Sequence, residues 1–219
     1  MNPLFDLPCV VMANGAFPER EELWAFVRSA RTLIACDGAA ERLLQAGIVP
    51  TAIVGDLDSL SPALRQRYAE RIHPVIDQEI NDLTKSLHHA ALMGEREVLI
   101  LGATGLREDH TLGNLSLLLE HAARFDRLVM ASDYGWFVPL THSATLTSQP
   151  GQQVSLFSLQ PSGTISSKGL RWPLSERQLT AWWQGTLNEA VGDSFTLTLS
   201  PEARLLVYRT FERKLVADR

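Results

Sequence analysis

Residues 52–71 read AIVGDLDSLSPALRQRYAER, in which a short apolar run, a polar turn and a helix-like segment follow one another. A short apolar run with β-branched residues, bounded by turn residues, is typical of a buried strand. Ser61 and Pro62 indicate where the helix begins, because serine is a favoured N-cap and proline suits the first helical position. The stretch therefore predicts a strand, a turn and a helix.

The same unit recurs on both sides of this stretch. The other apolar runs are CVVMA (9–13), LIAC (33–36), HPVI (73–76), VLILG (98–102) and LVMAS (128–132), with helix-like segments at 19–30, 39–46, 82–93 and 109–124. Asn81 is a suitable cap for the segment that begins at Asp82. Strands that alternate with helices in this way predict an α/β domain with a parallel sheet.

From about residue 141 the sequence changes to short stretches of alternating polar and apolar residues. These are QVSLFSL (153–159), GTISS (163–167), FTLTLS (195–200) and RLLVYRTF (204–211), separated by Gly, Pro, Asn and Asp. A period of two indicates antiparallel strands. We therefore expect an α/β domain over residues 1–140 and a small β-sandwich or barrel-like domain over 141–219, in which residues 175–183 could be helical.

Composition excludes several classes of protein. With 219 residues, 45% hydrophobic and 21% charged, the chain has the make-up of a soluble globular protein, and its net charge of -5 argues against nucleic acid and anionic membranes as partners. Cys9 and Cys36 lie in apolar runs, so we expect two buried thiols rather than a zinc site. The N-terminal residues lack a signal-peptide pattern, and a cytoplasmic location is expected.

Acidic residues follow the predicted parallel strands. Asp37 follows the second strand, Asp56 and Asp58 the third, Asp77 the fourth, and the polar segment 102–109 begins at the end of the fifth. In open α/β sheets, ligands bind outside the carboxyl ends of the strands, so these side chains are expected to converge on one cleft. Carboxylates that converge on one point repel one another, so a cation is expected among them.

Two of these clusters contain groups suited to a metal ion and phosphate. In GDLDS, Asp56 and Asp58 are spaced so that both can face one point, and magnesium prefers oxygen ligands of this kind. In DQEINDLTKSL (77–87), Asp82 and Lys85 share one helix face. The alternatives are structural: Asp58 caps a turn or helix, and Asp82 favours the helix N-terminus while pairing with Lys85.

The third cluster, LGATGLREDH (101–110), predicts an anion-binding turn. Gly102 and Gly105, with Thr104 between them, allow backbone N–H groups to approach an anion at a helix N-terminus, and Arg107 offers a planar fork to phosphate oxygens. Asp109 follows at the start of the next helix. A plain strand-to-helix turn with an exposed arginine is the alternative. The three clusters agree on sheet edge, charge and ligand type, which favours the functional interpretation.

Seven motifs, in order along the chain, resemble those of the thiamine pyrophosphokinase family. They are VMANG (11–15), CDGAA (36–40), GDLDS (55–59), DQEINDLTK (77–85), GATGLREDH (102–110), KGLRWPL (168–174) and GTLNEA (185–190). The resemblance implies a Rossmann-like parallel-sheet domain followed by an antiparallel β-sandwich. It also implies transfer of the diphosphate of ATP to the hydroxyl of thiamine, giving thiamine diphosphate and AMP. The family works as a homodimer, with each active cleft between one subunit's first domain and its partner's second.

The resemblance also assigns roles to individual residues. It places Asp56, Asp58 and Asp82 on magnesium and the ATP phosphates, with Arg107 and Lys85 neutralising charge. The remaining residues of the ATP side are Asn14, Asp37, Gly38, Gly102, Thr104, Gly105 and Asp109. Trp172, Thr186 and Asn188 would face thiamine.

Some features of the second domain leave alternatives open. The segment before Asn188 usually carries serine in the family and here reads Gly185-Thr186-Leu187, so a polar contact to thiamine is expected to be missing unless Thr186 supplies a hydroxyl. Trp172 could pack in the core, and Asn188 could form a turn. A diphosphokinase for another hydroxymethyl heterocycle, such as a pterin, is the nearest alternative enzyme. A non-catalytic nucleotide or thiamine sensor is the alternative from another class.

Overall fold

The computed structural model of the protein describes residues 7–213, and side chains through residue 211. Two compact units are present: the first runs to Leu117 and includes Ala123–Asp133, and the second comprises Leu118–Ala122 and the chain from Tyr134 onward. The outer ends of the expected domains, 1–6 and 214–219, lie outside the described residues. No helix in the described part of the chain is long and apolar enough to cross a bilayer.

The first unit contains a parallel sheet of six strands. They are β1 (Cys9–Met12), β2 (Thr32–Cys36), β3 (Ala52–Gly55), β4 (Ile72–Pro74), β5 (Glu97–Leu101) and β6 (Arg127–Ala131). Their order in the sheet is β6-β5-β1-β2-β3-β4, and each neighbouring pair is parallel. The predicted parallel sheet is confirmed.

Five α-helices connect or follow these strands. They are α1 (Glu21–Ser29), α2 (Ala39–Gln45), α3 (Pro62–Arg67), α4 (Asp82–Leu92) and α5 (Glu108–His121). Both predicted caps are confirmed: the Ser61 side chain accepts from Leu64 N at 3.4 Å, and that of Asn81 accepts from Thr84 N at 2.9 Å. Turns of 3₁₀ helix at Ala69–Arg71 and Ala122–Arg124 account for the longer helices expected from the sequence.

The inner strands are buried along their whole length. Every residue of β1, β2 and β3 is buried, as expected for a parallel sheet covered on both faces. Cys9 and Cys36 lie on β1 and β2 as free, buried cysteines, and burial raises the pKa of each thiol to about 12. Both thiols are therefore packing residues, as predicted.

The order of the strands determines where a ligand can bind. From β1 the chain continues to β2, β3 and β4 on one side, and later returns to form β5 and β6 on the other. The carboxyl ends of β1 and β5 therefore mark the point at which the direction of winding reverses. Loops that leave adjacent strands in opposite directions open a crevice at such a point, and ligands of open α/β sheets bind there.

The second unit contains two antiparallel sheets. One has the order β12-β9-β14-β7 and the other β11-β10-β13-β8. The strands are β7 (Gly135–Leu140), β8 (Ala144–Thr147), β9 (Gln152–Ser158), β10 (Thr164–Lys168), β11 (Arg177–Gln178), β12 (Asn188–Glu189), β13 (Ser194–Leu199) and β14 (Leu205–Arg213). Alternate residues of β10 and β13 are buried, which is the pattern of strands with one covered face. The expected β-sandwich is confirmed.

Two details of the second unit differ from the sequence-based expectation. Residues 175–183 are not helical, because Glu176 has φ 45° and its N–H donates to Ser166 Oγ at 2.8 Å. Strand β11 and a 3₁₀ turn at Trp182–Gly185 occupy this region instead. The sequence predicts a boundary near residue 140, whereas β7 belongs to the second unit because it pairs with β14 along its length.

Asp133 fixes the entry to α1. Its carboxylate accepts from Glu19 N at 2.9 and 3.0 Å and from Arg20 N at 2.9 Å. These amides lie directly before the helix and have no intrahelical partner, so a carboxylate distant in sequence satisfies them. The contact ties the end of β6 to the start of α1.

We expect Asp133→Ala to lower the free energy of unfolding by about 1–2 kcal/mol, because charge-assisted bonds to two backbone amides are lost. Urea denaturation followed by circular dichroism measures the change. Asp126→Ala is the control, since it removes an exposed ion pair to Arg96 at 3.0 Å whose expected contribution is small. Equal stability of the Asp133 variant and the unmodified protein would contradict the assigned role.

Candidate functional site

Three carboxylates meet at the carboxyl ends of β2 and β3. Asp37, Asp56 and Asp58 each offer one oxygen, and these oxygens all lie within 4.8 Å of one another. Asp37 is buried, Asp56 is half-buried and Asp58 is exposed. The group therefore extends from the interior to the surface, and its open side is available to a cation. Oxygen-only donors at this spacing suit Mg²⁺.

Local backbone structure brings the three carboxylates together. Asp37 N donates to Val54 O at 2.9 Å, which continues the β2–β3 pairing and places Asp37 beside Gly55. A Cβ at Gly55 would lie 2.7 Å from the Asp37 Cβ, so only glycine permits this approach. Asp58 N donates to Asp56 Oδ1 at 3.3 Å, an Asx-type turn that points both carboxylates the same way.

The Asp37 carboxyl is held in an unfavourable setting. Its Oδ1 atom is buried without a hydrogen-bond partner among the described residues, and its Oδ2 atom accepts a long bond from Ser59 N at 3.3 Å. Burial raises the pKa of Asp37, and the nearby Asp58 and Asp82 carboxyls act in the same direction. By contrast, a hydrogen bond from Gln78 lowers the pKa of Asp56. An unpartnered buried carboxylate oxygen beside two further carboxylates fits a cation ligand.

Asp82 and Lys85 lie at the first turn of α4, outside the three-carboxylate cluster. Lys85 Nζ donates to Asp82 Oδ1 at 3.0 Å, and the lysine side chain is only 3% exposed. Asp82 is close enough to Asp37 to affect its pKa, and Lys85 similarly affects Asp56. The pair therefore borders the cluster, and a direct contact of Asp82 with the metal ion stays a prediction.

A cavity of about 380 Å³ opens next to these groups, at the ends of β1 and β5. This is the crevice that the strand order predicts. Asn14, Gly105 and Arg107 line it together with Asp82, and His110 and Asn114 contribute from α5. The cavity is large enough for part of a nucleotide.

Hydrogen bonds between two loops shape one wall of this cavity. Gly15 N donates to Gly102 O at 2.6 Å, and Ala16 N donates to Thr104 O at 2.9 Å. Gly102 and Gly105 have φ of 66° and 76°, the left-handed conformation expected of a glycine-rich turn. Gly38 packs directly against the Asn14 side chain, so the two predicted residues are neighbours.

Arg107 forms an exposed ion pair with Asp109. Its Nε atom donates to Oδ1 at 3.1 Å and its Nη2 atom to Oδ2 at 2.5 Å, and the side chains are 71% and 63% exposed. The hydrogen bonds raise the pKa of Arg107 and lower that of Asp109. Asp109 therefore holds the guanidinium plane at the mouth of the cavity, where the fork can also meet an anion.

In the second unit, the three residues predicted to bind the acceptor line one pocket. The pocket measures about 400 Å³, and Trp172, Thr186 and Asn188 contribute to it. Trp172 is 56% exposed, which excludes the interpretation that it is a core residue. Thr186 Oγ1 donates to Trp183 O at 2.8 Å. An exposed indole in a pocket of this size can stack on a flat ring.

Three leucines adopt left-handed backbone conformations, each inside a predicted motif. Leu57 has φ 72°, Leu106 has φ 66° and Leu187 has φ 60°. A non-glycine residue in this conformation costs about 1–2 kcal/mol, so the surrounding contacts must impose it. Leu57 separates Asp56 from Asp58 in GDLDS, Leu106 precedes Arg107, and Leu187 lies in the pocket of the second unit. Backbone strain is therefore concentrated where ligand groups are positioned.

Sequence reasoning missed several members of the site. The sequence predicts that Asp37 converges on one cleft with Asp56 and Asp58, and its carboxylate lies with theirs. What the sequence did not indicate is that Asp37, rather than Asp82, completes the group of three carboxylates. Gln78, which contacts Asp56, follows β4 and offered no distinctive signal. Asn114 Nδ2 donates to Ala103 O at 2.8 Å, but its place on α5 at the cavity depends on how the glycine turn folds back.

Comparison with known proteins identifies two family models along the chain. Residues 23–130 match the catalytic domain of thiamin pyrophosphokinase, and residues 135–208 match its substrate-binding domain. Together the two models cover most of the chain and divide it close to the boundary between the structural units.

Curated relatives carry the same description. "Thiamine pyrophosphokinase 2" of Oryza sativa subsp. japonica is 31% identical over 147 residues, which are 60% of this chain and 54% of the relative. "Thiamine pyrophosphokinase" of Bacillus subtilis (strain 168) is 36% identical over 113 residues, 49% of this chain and 52% of the relative. The chain spans about half the length of the curated relatives it matches.

Solved structures support the fold. A thiamin pyrophosphokinase from Geobacillus thermodenitrificans superimposes with a TM-score of 0.76 at 21% identity, over 93% of this chain and 97% of that one. One from Candida albicans gives a TM-score of 0.77 at 16% identity, over 95% and 90%. At these identities the likeness shows a shared fold.

We expect Asp37→Asn to raise the free energy of unfolding by about 1 kcal/mol at pH 7 in buffer without divalent ions, because it removes one of three clustered charges. Since the pKa of Asp37 is raised in the folded state, protonation relieves the same repulsion. The unmodified protein should therefore gain stability relative to the variant as the pH falls through that pKa.

Urea titrations at several pH values measure this difference. Asp77→Asn is the matched control, because Asp77 also follows a strand end but caps Glu79 N at 2.9 Å outside the cluster. If Asp37→Asn destabilises the protein in metal-free buffer, repulsion does not dominate the cluster.

Proposed function

The chain belongs to the thiamin pyrophosphokinase family, and from that premise we propose that it transfers the diphosphate of ATP to the hydroxyl of thiamine. The products are thiamine diphosphate and AMP. The observation that carries the proposal is the cluster of Asp37, Asp56 and Asp58 beside a cavity at the reversal point of the sheet. A cation held there would face the phosphates of a nucleotide bound in that cavity.

Mg²⁺ is the proposed cofactor, and the donor set fits it. The candidate ligands are carboxylate oxygens, and one of them is buried without a partner among the described residues. Asp37, Asp56 and Asp58 would hold the ion, with Asp82 at the border of the cluster as a further candidate. When bound, magnesium supplies positive charge to the phosphate oxygens of ATP and so favours nucleophilic attack.

The proposed reaction is an in-line displacement at phosphorus. The hydroxyl oxygen of thiamine forms a bond to the β-phosphorus of ATP, the bond from that phosphorus to the bridging oxygen of AMP breaks, and AMP leaves with the bonding electron pair. The hydroxyl proton passes to a nearby base, for which Asp56 and Asp82 are candidates. Because the chemistry needs little covalent help, the protein's contribution is to position the groups and to balance charge.

Cationic side chains would balance the negative charge of the ATP phosphates. Arg107 points its planar fork at the mouth of the cavity, and its present partner Asp109 can release it to phosphate oxygens without burying a charge. Lys85 is buried beside Asp82 and supplies a fixed positive charge near the carboxylates. Asn14 and Gly105 line the cavity, where their amide and backbone groups can contact the nucleotide. Gly38, Gly102 and Thr104 do not line it directly: Gly38 packs against Asn14, and the carbonyls of Gly102 and Thr104 accept from Gly15 N and Ala16 N.

The pocket of the second unit is the proposed thiamine site. Trp172 offers an exposed indole face for a cationic heteroaromatic ring, and Thr186 and Asn188 line the same pocket. Leu187 is 69% exposed and presents an apolar side chain there. We therefore assign nucleotide binding to the first domain and acceptor binding to the second.

A homodimer and a cytoplasmic location are parts of the same proposal. The resemblance implies that each active cleft combines the first domain of one subunit with the second domain of its partner. This arrangement would bring Asp58 of one subunit to the acceptor held at the partner's Trp172.

Incubation with ATP, Mg²⁺ and thiamine is expected to yield AMP and thiamine diphosphate in equal amounts, identified by mass spectrometry. Asp58→Asn should reduce turnover by roughly 10²-fold or more, because it weakens charge stabilisation at the reacting phosphate. The control is Asp126→Ala, which lies in an exposed ion pair away from the site. Product from 6-hydroxymethylpterin but not from thiamine would identify a pterin diphosphokinase, and thiamine binding without product would identify a sensor.

Mixing two inactive variants tests the shared cleft. Asp58→Asn and Trp172→Ala each damage a different domain, so a mixed dimer would contain one cleft built from intact halves. Random association is expected to restore about one quarter of the unmodified activity. Sedimentation of the pure protein reports the dimer directly. An active monomer, or a mixture no more active than its two components, would contradict the arrangement.

A further inference from the structure

The side chain of Asn188 is bonded to the main chain of Trp172 on both sides of that residue. Asn188 Nδ2 donates to Trp172 O at 2.7 Å, and Trp172 N donates to Asn188 Oδ1 at 3.1 Å. The carboxamide thus pairs with one residue as a neighbouring β-strand would. Asn188 Oδ1 also accepts from Glu189 N at 2.9 Å.

These bonds use most of the hydrogen-bond donors and acceptors of the Asn188 side chain. A carboxamide has two donor hydrogens and one acceptor oxygen with two lone pairs, so both lone pairs and one hydrogen are engaged. Asn188 is 7% exposed, whereas Trp172 is 56% exposed in the same pocket. The asparagine therefore lies behind the tryptophan, and the indole is the group that a ligand meets.

Neighbouring contacts hold the chain on either side of Trp172, and Asn188 supplies the bonds at Trp172 itself. Arg171 N donates to Glu189 O at 2.8 Å, and Leu174 N donates to Ser167 Oγ at 2.8 Å. Between these points the polypeptide crosses the pocket wall as an exposed turn. An exposed turn without such bonds is free to change its backbone angles and so to tilt the indole.

We propose that Asn188 is a positioning residue, which fixes the Trp172 backbone so that the indole is presented to the acceptor ring. The inference rests on the proposed function, in which the pocket takes thiamine. It changes the role expected of Asn188 from substrate contact to support of the contact residue. Preorganisation of this kind lowers the cost of ordering the site when substrate binds.

Asn188→Asp is the sharpest test, because it is close to isosteric and alters mainly one bond. The carboxylate still accepts from Trp172 N and Glu189 N, but it cannot donate to Trp172 O and it repels that carbonyl. We expect KM for thiamine to rise roughly tenfold, while KM for ATP and kcat change less than about threefold.

Gln152→Glu is the matched control. Gln152 is also a buried carboxamide of the second unit, and its Nε2 donates to Thr210 O at 2.8 Å, but it is not among the residues that line the pocket. The same amide-to-carboxylate change there should lower the melting temperature without raising KM for thiamine. If both variants raise KM equally, Asn188 has only a general structural role and the proposal fails.

Two further measurements separate positioning from direct contact. If Asn188 acts through the indole, Asn188→Asp should have little additional effect on KM in a Trp172→Ala background, whereas additive effects would indicate that it touches substrate itself. In the absence of any ligand, acrylamide quenching of Trp172 fluorescence, taken as the difference from a Trp172→Phe variant, should change in Asn188→Asp and not in Gln152→Glu.

The quenching experiment distinguishes failure of this inference from failure of the proposed function. An unmodified protein that forms no thiamine diphosphate overturns the function, yet a changed Trp172 environment still supports the positioning role. Unchanged quenching and unchanged KM overturn the inference while the function stands. Should Asn188→Asp not fold, Asn188→Ser removes the two-sided pairing without introducing a charge and is expected to show the same changes.

Discussion

Repulsion among the carboxylates at the ends of β2 and β3 is the constraint around which the first unit is arranged. Asp37, Asp56 and Asp58 place oxygens within 4.8 Å of one another, and Asp37 does so with one oxygen buried and unpaired within the described residues. A fold selected only for stability would not keep such a cluster, because each buried charge without a partner is costly. In the proposed function a cation would complete the cluster, so that stability is reduced where the proposed chemistry requires charge.

The backbone conformations that position the carboxylates and Arg107 also reduce the stability of the fold. Gly55 allows Asp37 to lie against the end of β3, and Leu57 takes a left-handed conformation that gives the Asp56–Asp58 turn its shape. Leu106 does the same before Arg107. Parallel strands buried on both faces provide the rigid support that such strained turns need, because their ladder bonds leave the loops little freedom to relax.

In the second unit, hydrogen bonds from side chains to the main chain hold the residues of the pocket in place. Its pocket is lined by residues of β9, β11 and β12 together with residues of the intervening turns. These turns are held by side chains that bond to backbone atoms, as Asn188 does at Trp172 and Ser155 Oγ does at Leu187 N. Polar residues of a binding pocket therefore need not touch the ligand. In the role proposed for Asn188, a buried motif residue with most of its hydrogen-bonding groups engaged supports an exposed neighbour.

Sequence patterns alone were enough to predict most of the secondary-structure elements, and they proposed the kind of chemistry that the site performs. The alternation of apolar runs and helical segments predicted the parallel sheet, and the period of two predicted the antiparallel sheets. The helix caps at Ser61 and Asn81 also lie where local rules place them. These features could be predicted because they depend on contacts between residues that are close together in the chain. The folded structure was needed to show which of these side chains lie together. The pairing of β2 with β3 brings Asp37 to Asp56 and Asp58, while Asp82 pairs with Lys85 instead. The left-handed backbone of Glu176 interrupts the helix expected over residues 175–183. Asn188 lies behind Trp172, to which it is hydrogen-bonded. Such contacts join residues far apart in sequence, and their geometry depends on strand order and turn conformation, which local patterns do not encode.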